Sequence, residues 1–197
     1  MISITESGMT FELAEDNCFQ IELDPLVKKK HFDSTSNVKG CEFVTVVNGH
    51  HCFIEAKQSA PAGSNGNVRD LRLNGGPVPD NWTIFDNYRS FLRDISRKFI
   101  DSLHVLTSLS AGRHGKQRRD NITLPIRIPD PDKLRFILIV NLGQKQMQNF
   151  DKQQMASLND ALKNEMRPFL SIWNIPDTSI KVALPDDARR ILKVPIV

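Results

Sequence analysis

The segment CEFVTVVNGHHCFIEAKQSAP, residues 41–61, places two apolar runs on either side of an Asn-Gly pair. Asn48-Gly49 is the pair a type I′ turn favours, because both central positions of that turn take positive φ. A two-residue turn there pairs Val47 with His50 and, counted outward, sets Glu42 directly across from Glu55. Side chains alternate along a strand, so Lys57 points to the same face as both acids. A four-residue loop through Asn48–His51 shifts the partners but keeps the three on one face, and only an odd loop or a bulge separates them. The same alternation sends Cys41, His50 and Cys52 to the other face.

Outward from the hairpin, the pattern predicts further elements of both types. ISIT and CFQIEL near the N-terminus read as short strands around an acidic turn region. QSAPAGSNGNVRDLRLNGGPVP, residues 58–79, is rich in Gly, Pro, Ser and Asn and is expected to be a long flexible connection. From Ile84 through Phe91, Leu92, Ile95, Phe99 and Leu103 to Leu106, apolar residues recur at three- and four-residue steps, which predicts a long helix. Asp80 or Asn81 is positioned to cap its start and Gly112 to end it. KLRFILIVNL reads as a buried strand. Met155, Leu158, Leu162, Met166 and Leu170 give a second amphipathic helix, SIKVAL a last strand and PDDARRILK a terminal helix. The expected architecture is one α/β (α+β) domain over residues 1–197, a mixed central sheet flanked by helices.

A chain of 197 residues with 40% hydrophobic content is long enough for such a core. The formal net charge of +3 permits a polyanionic partner without requiring one. No run of eighteen apolar residues is present, so no spanning helix and no membrane partner is expected. MISITESGMTFELAEDN lacks the basic and apolar regions of a signal peptide. Three cysteines are too few for a disulfide framework, and the expected location is the cytoplasm.

Two carboxylates facing each other across a hairpin repel, at a cost of some fraction of about 1 kcal/mol when exposed and more when buried. A divalent cation between Glu42 and Glu55 turns that cost into a binding site. Hard oxygen ligands with open positions suit Mg²⁺, or Mn²⁺ in its place, which also takes phosphate oxygens from a substrate. A lysine beside the metal can orient a water and stabilise negative charge developing on phosphorus. Glu42, Glu55 and Lys57 together therefore point to phosphodiester hydrolysis.

With CEF on one strand and FIEAKQS on the next, the chain resembles the PD-(D/E)XK nuclease superfamily, the restriction-endonuclease-like fold. That pattern is an acid on one core strand followed by an apolar strand ending in (D/E)-x-K. The resemblance matches Glu42 to the first acid, Glu55 to the second and Lys57 to the lysine. It implies that the Ala56 carbonyl joins the metal ligands and that an N-terminal element adds another acid, with Glu22 the candidate and Glu6 second to it. The motif covers Glu42–Lys57 and the topology roughly Glu22 to the end. Two departures stand: the first acid is Glu rather than the usual Asp, and the only nearby Asp-Pro pair, Asp24-Pro25, is reversed and too far upstream. What the resemblance implies is a Mg²⁺-dependent nuclease, DNA favoured over RNA as substrate, with roles in restriction, defence or repair. So short a domain would draw specificity from a homodimer or a partner subunit.

The loop GRHGKQRR supplies Arg113, Lys116, Arg118 and Arg119, which would grip a phosphate backbone or simply sit as solvated cations near a helix C-terminus. Lys28–Lys30 carries the same two readings. Cys41, His50, His51 and Cys52 crowd the hairpin without zinc-ligand spacing and read as buried thiols and turn histidines. The rival to the nuclease is a catalytically inactive module of the same fold that binds nucleic acid or a partner protein. A third reading is an unrelated α+β protein in which Glu55 and Lys57 form a surface salt bridge of little worth.

Overall fold

The computed structural model describes residues 1–21, 38–58, 60, 82–113, 130–142 and 152–196. Most of the 58–79 connection, the two cap candidates and Lys28–Lys30 lie outside them.

The Asn-Gly hairpin forms as its sequence dictates. Strand β4 (Phe43–Val47) pairs antiparallel with β5 (His50–Lys57), with Val47 opposite His50 and Phe43 opposite Ile54. Asn48 and Gly49 take φ of 49° and 74°, the two positive angles of a type I′ turn. The short β3 (Cys18–Phe19) flanks β4. On the other side, β6 (Leu134–Val140) and then β7 (Ile180–Ala183) join in parallel, giving the mixed sheet order β3-β4-β5-β6-β7. Parallel neighbours need crossovers, and two long helices supply them. Helix α1 (Trp82–Ser110) connects β5 to β6, and α2 (Lys152–Ile172) connects β6 to β7.

Both helices cover one face of the sheet. Leu92, Ile95, Phe99, Leu103 and Leu106 of α1 and Leu158, Leu162, Met166 and Leu170 of α2 bury against Val44, Phe53, Phe136, Leu138 and Val182. From Tyr88 onward, the stripe predicted for α1 is thus the core face. Its C-terminus closes as a Schellman motif: Gly112 takes φ 71°, its N–H donates to the Leu109 carbonyl, and Arg113 N–H donates to that of Ser108. β6 is apolar on both faces because both are covered, Phe136 and Leu138 by the long helices, Ile137 and Ile139 by the third layer.

That third layer contains an element the sequence reading passes over. MTFEL forms β2 (Met9–Leu13), which pairs with β1 (Ile2–Glu6) through a tight turn at Ser7-Gly8. Ile4, Phe11 and Leu13 of this hairpin, with Ala188 and Leu192 of the terminal helix α3 (Pro185–Leu192), pack on Phe43, Ile54, Ile137 and Ile139. Phe11 meets Phe43 edge-on, ring centroids 5.2 Å apart. The alternation in MTFEL is the ordinary mark of a half-buried strand, and Ser7-Gly8, with φ of 52° and 74°, is as good a turn as Asn48-Gly49.

Candidate functional site

β4 begins and β5 ends at the same edge of the sheet, so Glu42, Glu55 and Lys57 come together there. The ladder stops at Phe43, and Glu42 stands one residue before it at a bend, its N–H donating to the Ile54 carbonyl at 3.0 Å. Glu42 is therefore not a ladder partner of Glu55, as strict hairpin counting has it. Both carboxylates nevertheless reach the same cations. Lys57 Nζ lies 2.5 Å from Glu55 Oε1 and 4.0 Å from Glu42 Oε1.

The second cation is one that the sequence reading missed. Lys98, from the middle of α1, places its Nζ 2.7 Å from Glu55 Oε1 and 3.4 Å from Glu42 Oε1. Two carboxylates and two ammonium groups thus form one cluster under α1. Lys98 follows the buried Ile95 by three residues and precedes the buried Ser102 by four, so it belongs to the inward stripe. A lysine in register with buried neighbours was the available signal.

The segment carrying Glu42 is tied to the same helix. Lys39 N–H donates to Asp101 Oδ2 at 2.9 Å, and its Nζ meets Asp94 at 2.8 Å. Cys41 N–H donates to Ser102 Oγ at 2.7 Å, and that hydroxyl donates to the Lys98 carbonyl at 2.6 Å. The bend at Glu42 also breaks the alternation: Cys41 packs in the helix-covered core with Phe53, while Cys52 lies on the opposite face. The expectation that these two thiols share a face is corrected on that account. Burial pushes the thiols up, Cys18 and Cys41 to about 12 and Cys52 to about 11, far from the thiolate that nucleophilic or zinc chemistry needs. Among the described residues no group of three His, Cys, Asp or Glu side chains gathers as a metal cluster.

Glu55 is fully buried, and Glu42 keeps 12% of its side chain exposed. Burial pushes the Glu55 carboxyl up to about 7; Lys98 pulls it down, the Glu42 charge pushes it up, and Lys57 pulls it down again. Both lysines bond Oε1, whereas buried Oε2 accepts no hydrogen bond from the described residues. An orphaned buried oxygen costs about 1–3 kcal/mol. An acceptor of this kind beside a second carboxylate suits a hard cation, so the donor set fits a divalent metal.

The remaining candidates divide. The Ala56 carbonyl accepts a hydrogen bond from Ser7 Oγ at 2.9 Å. The Ser7-Gly8 turn is held there by Asn141, whose Nδ2 donates to the Ser7 carbonyl at 3.0 Å and whose N–H donates to the Lys57 carbonyl at 2.7 Å. A Cβ on Gly8 would stand 3.3 Å from that Asn141 amide, so the close approach as well as φ of 74° calls for glycine. Glu6 ends β1 in the layer that covers the other face of the sheet. Arg113 lies past the end of α1, roughly 20 Å along the helix from Lys98 at about 1.5 Å per residue, and is not brought to the carboxylates. Glu22, Lys116, Arg118 and Arg119 lie outside the described residues.

No helix among the described residues is long and apolar enough to cross a membrane. Compared with known protein families, curated proteins and solved structures, the chain matches none.

Proposed function

We propose that the protein is a metal-dependent nuclease of the PD-(D/E)XK type that hydrolyses phosphodiester bonds of nucleic acid, DNA in preference to RNA. The observation that carries this reading is the buried Glu55 Oε2, left without a hydrogen-bond donor among the described residues beside Glu42, with a lysine two residues further along the same strand. Glu42 and Glu55 would hold Mg²⁺ or Mn²⁺, and the Ala56 carbonyl can join them through the lone pair that Ser7 leaves open.

A bound divalent ion supplies Lewis-acid stabilisation of charge at phosphorus and acidifies a coordinated water. The chain's own groups do the rest. Lys57, a third exposed, reaches from the cluster toward solvent, where its ammonium can orient an attacking water and meet the non-bridging phosphate oxygens. Lys98 stays under the helix and offsets the charge of the buried carboxylate. The sequence resemblance extends the proposal to a restriction-endonuclease-like domain acting in the cytoplasm in restriction, defence or repair, as a homodimer or with a partner subunit.

The test is cleavage of plasmid and single-stranded DNA with Mg²⁺, Mn²⁺ or EDTA, by the wild type and Lys57→Ala. Metal-dependent cutting that disappears in the variant supports the nuclease. Absence of cutting, with calorimetry finding no Mn²⁺ binding that depends on Glu42 and Glu55, overturns it.

One observation favours a second reading. Lys57 and Lys98 already stand at ion-pair distance from both carboxylates, so the cluster offsets its negative charge without metal. A catalytically inactive module binding nucleic acid or a partner protein would keep such a cluster for stability alone, and would bind nucleic acid equally well in EDTA.

A further inference from the structure

On the face of the sheet opposite the carboxylates, near the Asn48-Gly49 turn, a cavity of about 260 Å³ opens between the sheet and α3. Its polar lining is His50, Arg135, Lys181, Asn48 and Thr178, and its apolar walls include Ile137 and Ile191. Among the described residues that line it, none is acidic.

The two permanent cations are placed by the sheet. Lys181 is the ladder partner of Ile137, and Arg135 lies two residues before Ile137 on the same face. Diagonal neighbours of that kind stand on the order of 7–8 Å apart. Arg135 is held on one side: its Nη1, with two N–H groups, donates to the carbonyls of Asp132 at 2.8 Å and Leu134 at 2.6 Å, and Ser179 Oγ stands 3.4 Å away. All three oxygens are neutral, so they orient the guanidinium without compensating its charge.

Among the described residues three carboxylates of this region pair with other cations, while exposed Asp132, beside Arg135 in the chain, makes no ion pair with it. Asp186 pairs with Arg189 at 3.2 Å, Asp187 with Arg190 at 3.8 Å, and Asp177 with Arg167 at 4.0 Å. A third cation, Lys193, stands at the rim with its Nζ 3.4 Å from Asn48 Oδ1.

We propose that this cavity is a phosphate-binding site for a small ligand. The phosphate would lie between the Arg135 guanidinium and the Lys181 ammonium, where a pre-oriented fork and a mobile point charge both suit its oxygens. The cavity falls just under the roughly 300 Å³ at which pockets for drug-sized ligands begin. That size suits free phosphate or a small phosphomonoester whose body rests on Ile137 and Ile191, and is too small for a dinucleotide. The site is independent of the carboxylate cluster, which occupies the other face and the other end of β5.

The experiment is calorimetric titration of the full chain with inorganic phosphate, AMP and adenosine, repeated on Lys181→Glu, Ile191→Trp and Glu55→Gln. Lys181 is exposed, so its charge reversal leaves the fold in place, and thermal melting checks this. The expected result is binding of phosphate or AMP, not adenosine, weakened at least tenfold by Lys181→Glu and unchanged by Glu55→Gln. AMP binding lost in Ile191→Trp while phosphate still binds marks a phosphomonoester site; phosphate binding without AMP binding marks a free-phosphate site. Either outcome supports the proposal. No binding of either anion at millimolar concentration, binding indifferent to Lys181→Glu, or adenosine binding as tightly as AMP overturns it. Because Glu55→Gln is carried in parallel, failure here leaves the nuclease reading untouched.

Discussion

Lys98 Nζ and Glu55 Oε1 stand 2.7 Å apart, joining the middle of the long helix to the end of a central strand across 43 positions of sequence. The contact makes α1 part of the candidate site as well as its roof. Removing Lys98 leaves the buried carboxylate with Lys57 as its one cation among the described residues. Charge-assisted bonds are worth about 1.5–3 kcal/mol, so Lys98→Met is expected to lose about that much stability at pH 8. At pH 5, where Glu55 is protonated, the loss should be much smaller. Urea denaturation at the two pH values measures it, and equal losses at both would remove the ion pair as the cause.

The Glu55 carboxyl itself predicts a pH dependence of stability. Its ordinary value is 4.5 and burial raises it to about 7 in the folded chain. Between those values the folded protein binds a proton that the unfolded chain has released, so stability falls as pH rises through this window. From pH 4.5 to 8 the decline attributable to Glu55 is about 3 kcal/mol at most. Glu55→Gln should flatten it, and a denaturation series at half-unit pH steps would show whether the slope survives the substitution.

A metal at the same carboxylate competes with that proton. Mn²⁺ affinity is therefore expected to weaken about tenfold per unit as pH drops below 7, and to be lost in Glu55→Gln. In the nuclease reading that variant should also lose at least about 10²-fold in cleavage rate. Titration calorimetry at pH 6 and 8 reads the first effect, and pH-independent Mn²⁺ binding would place the metal elsewhere.

Ser102 is expected to matter out of proportion to its size. Its hydroxyl accepts from Cys41 N–H and donates to the Lys98 carbonyl, fastening the residue before Glu42 to the helix. Ser102→Ala leaves a buried N–H unpaired, a loss of about 1–3 kcal/mol. Ser102→Thr, which keeps the hydroxyl, should restore part of it. Thermal melting of the two variants decides between a lost bond and a mere change of volume.

How much of this was legible in the chain varies by element. Asn48-Gly49 fixed the register of the β4–β5 hairpin because positive φ at two successive positions is a local demand that few residue pairs meet. The stripes of α1 and α2 were legible for the same kind of reason, since a helix repeats its buried face every three or four residues. MTFEL carried an equally plain alternation, and Ser7-Gly8 an equally plain turn. Both signals are local and stand in the sequence next to the acidic run of Glu12, Glu15 and Asp16.

By itself, then, the sequence determined the elements, the hairpin register and the gathering of Glu42, Glu55 and Lys57 at one edge, all of which follow from periodicity and turn chemistry within short spans. Tertiary structure alone decided that Lys98 completes the cluster, that the bend at Glu42 turns Cys41 into the helix-covered core, and that Arg135 and Lys181 share a cavity. Each depends on how one element docks on another. Local patterns show which residues of a helix or strand are buried, but the partner they meet is set by the packing of the whole sheet between its two covering layers.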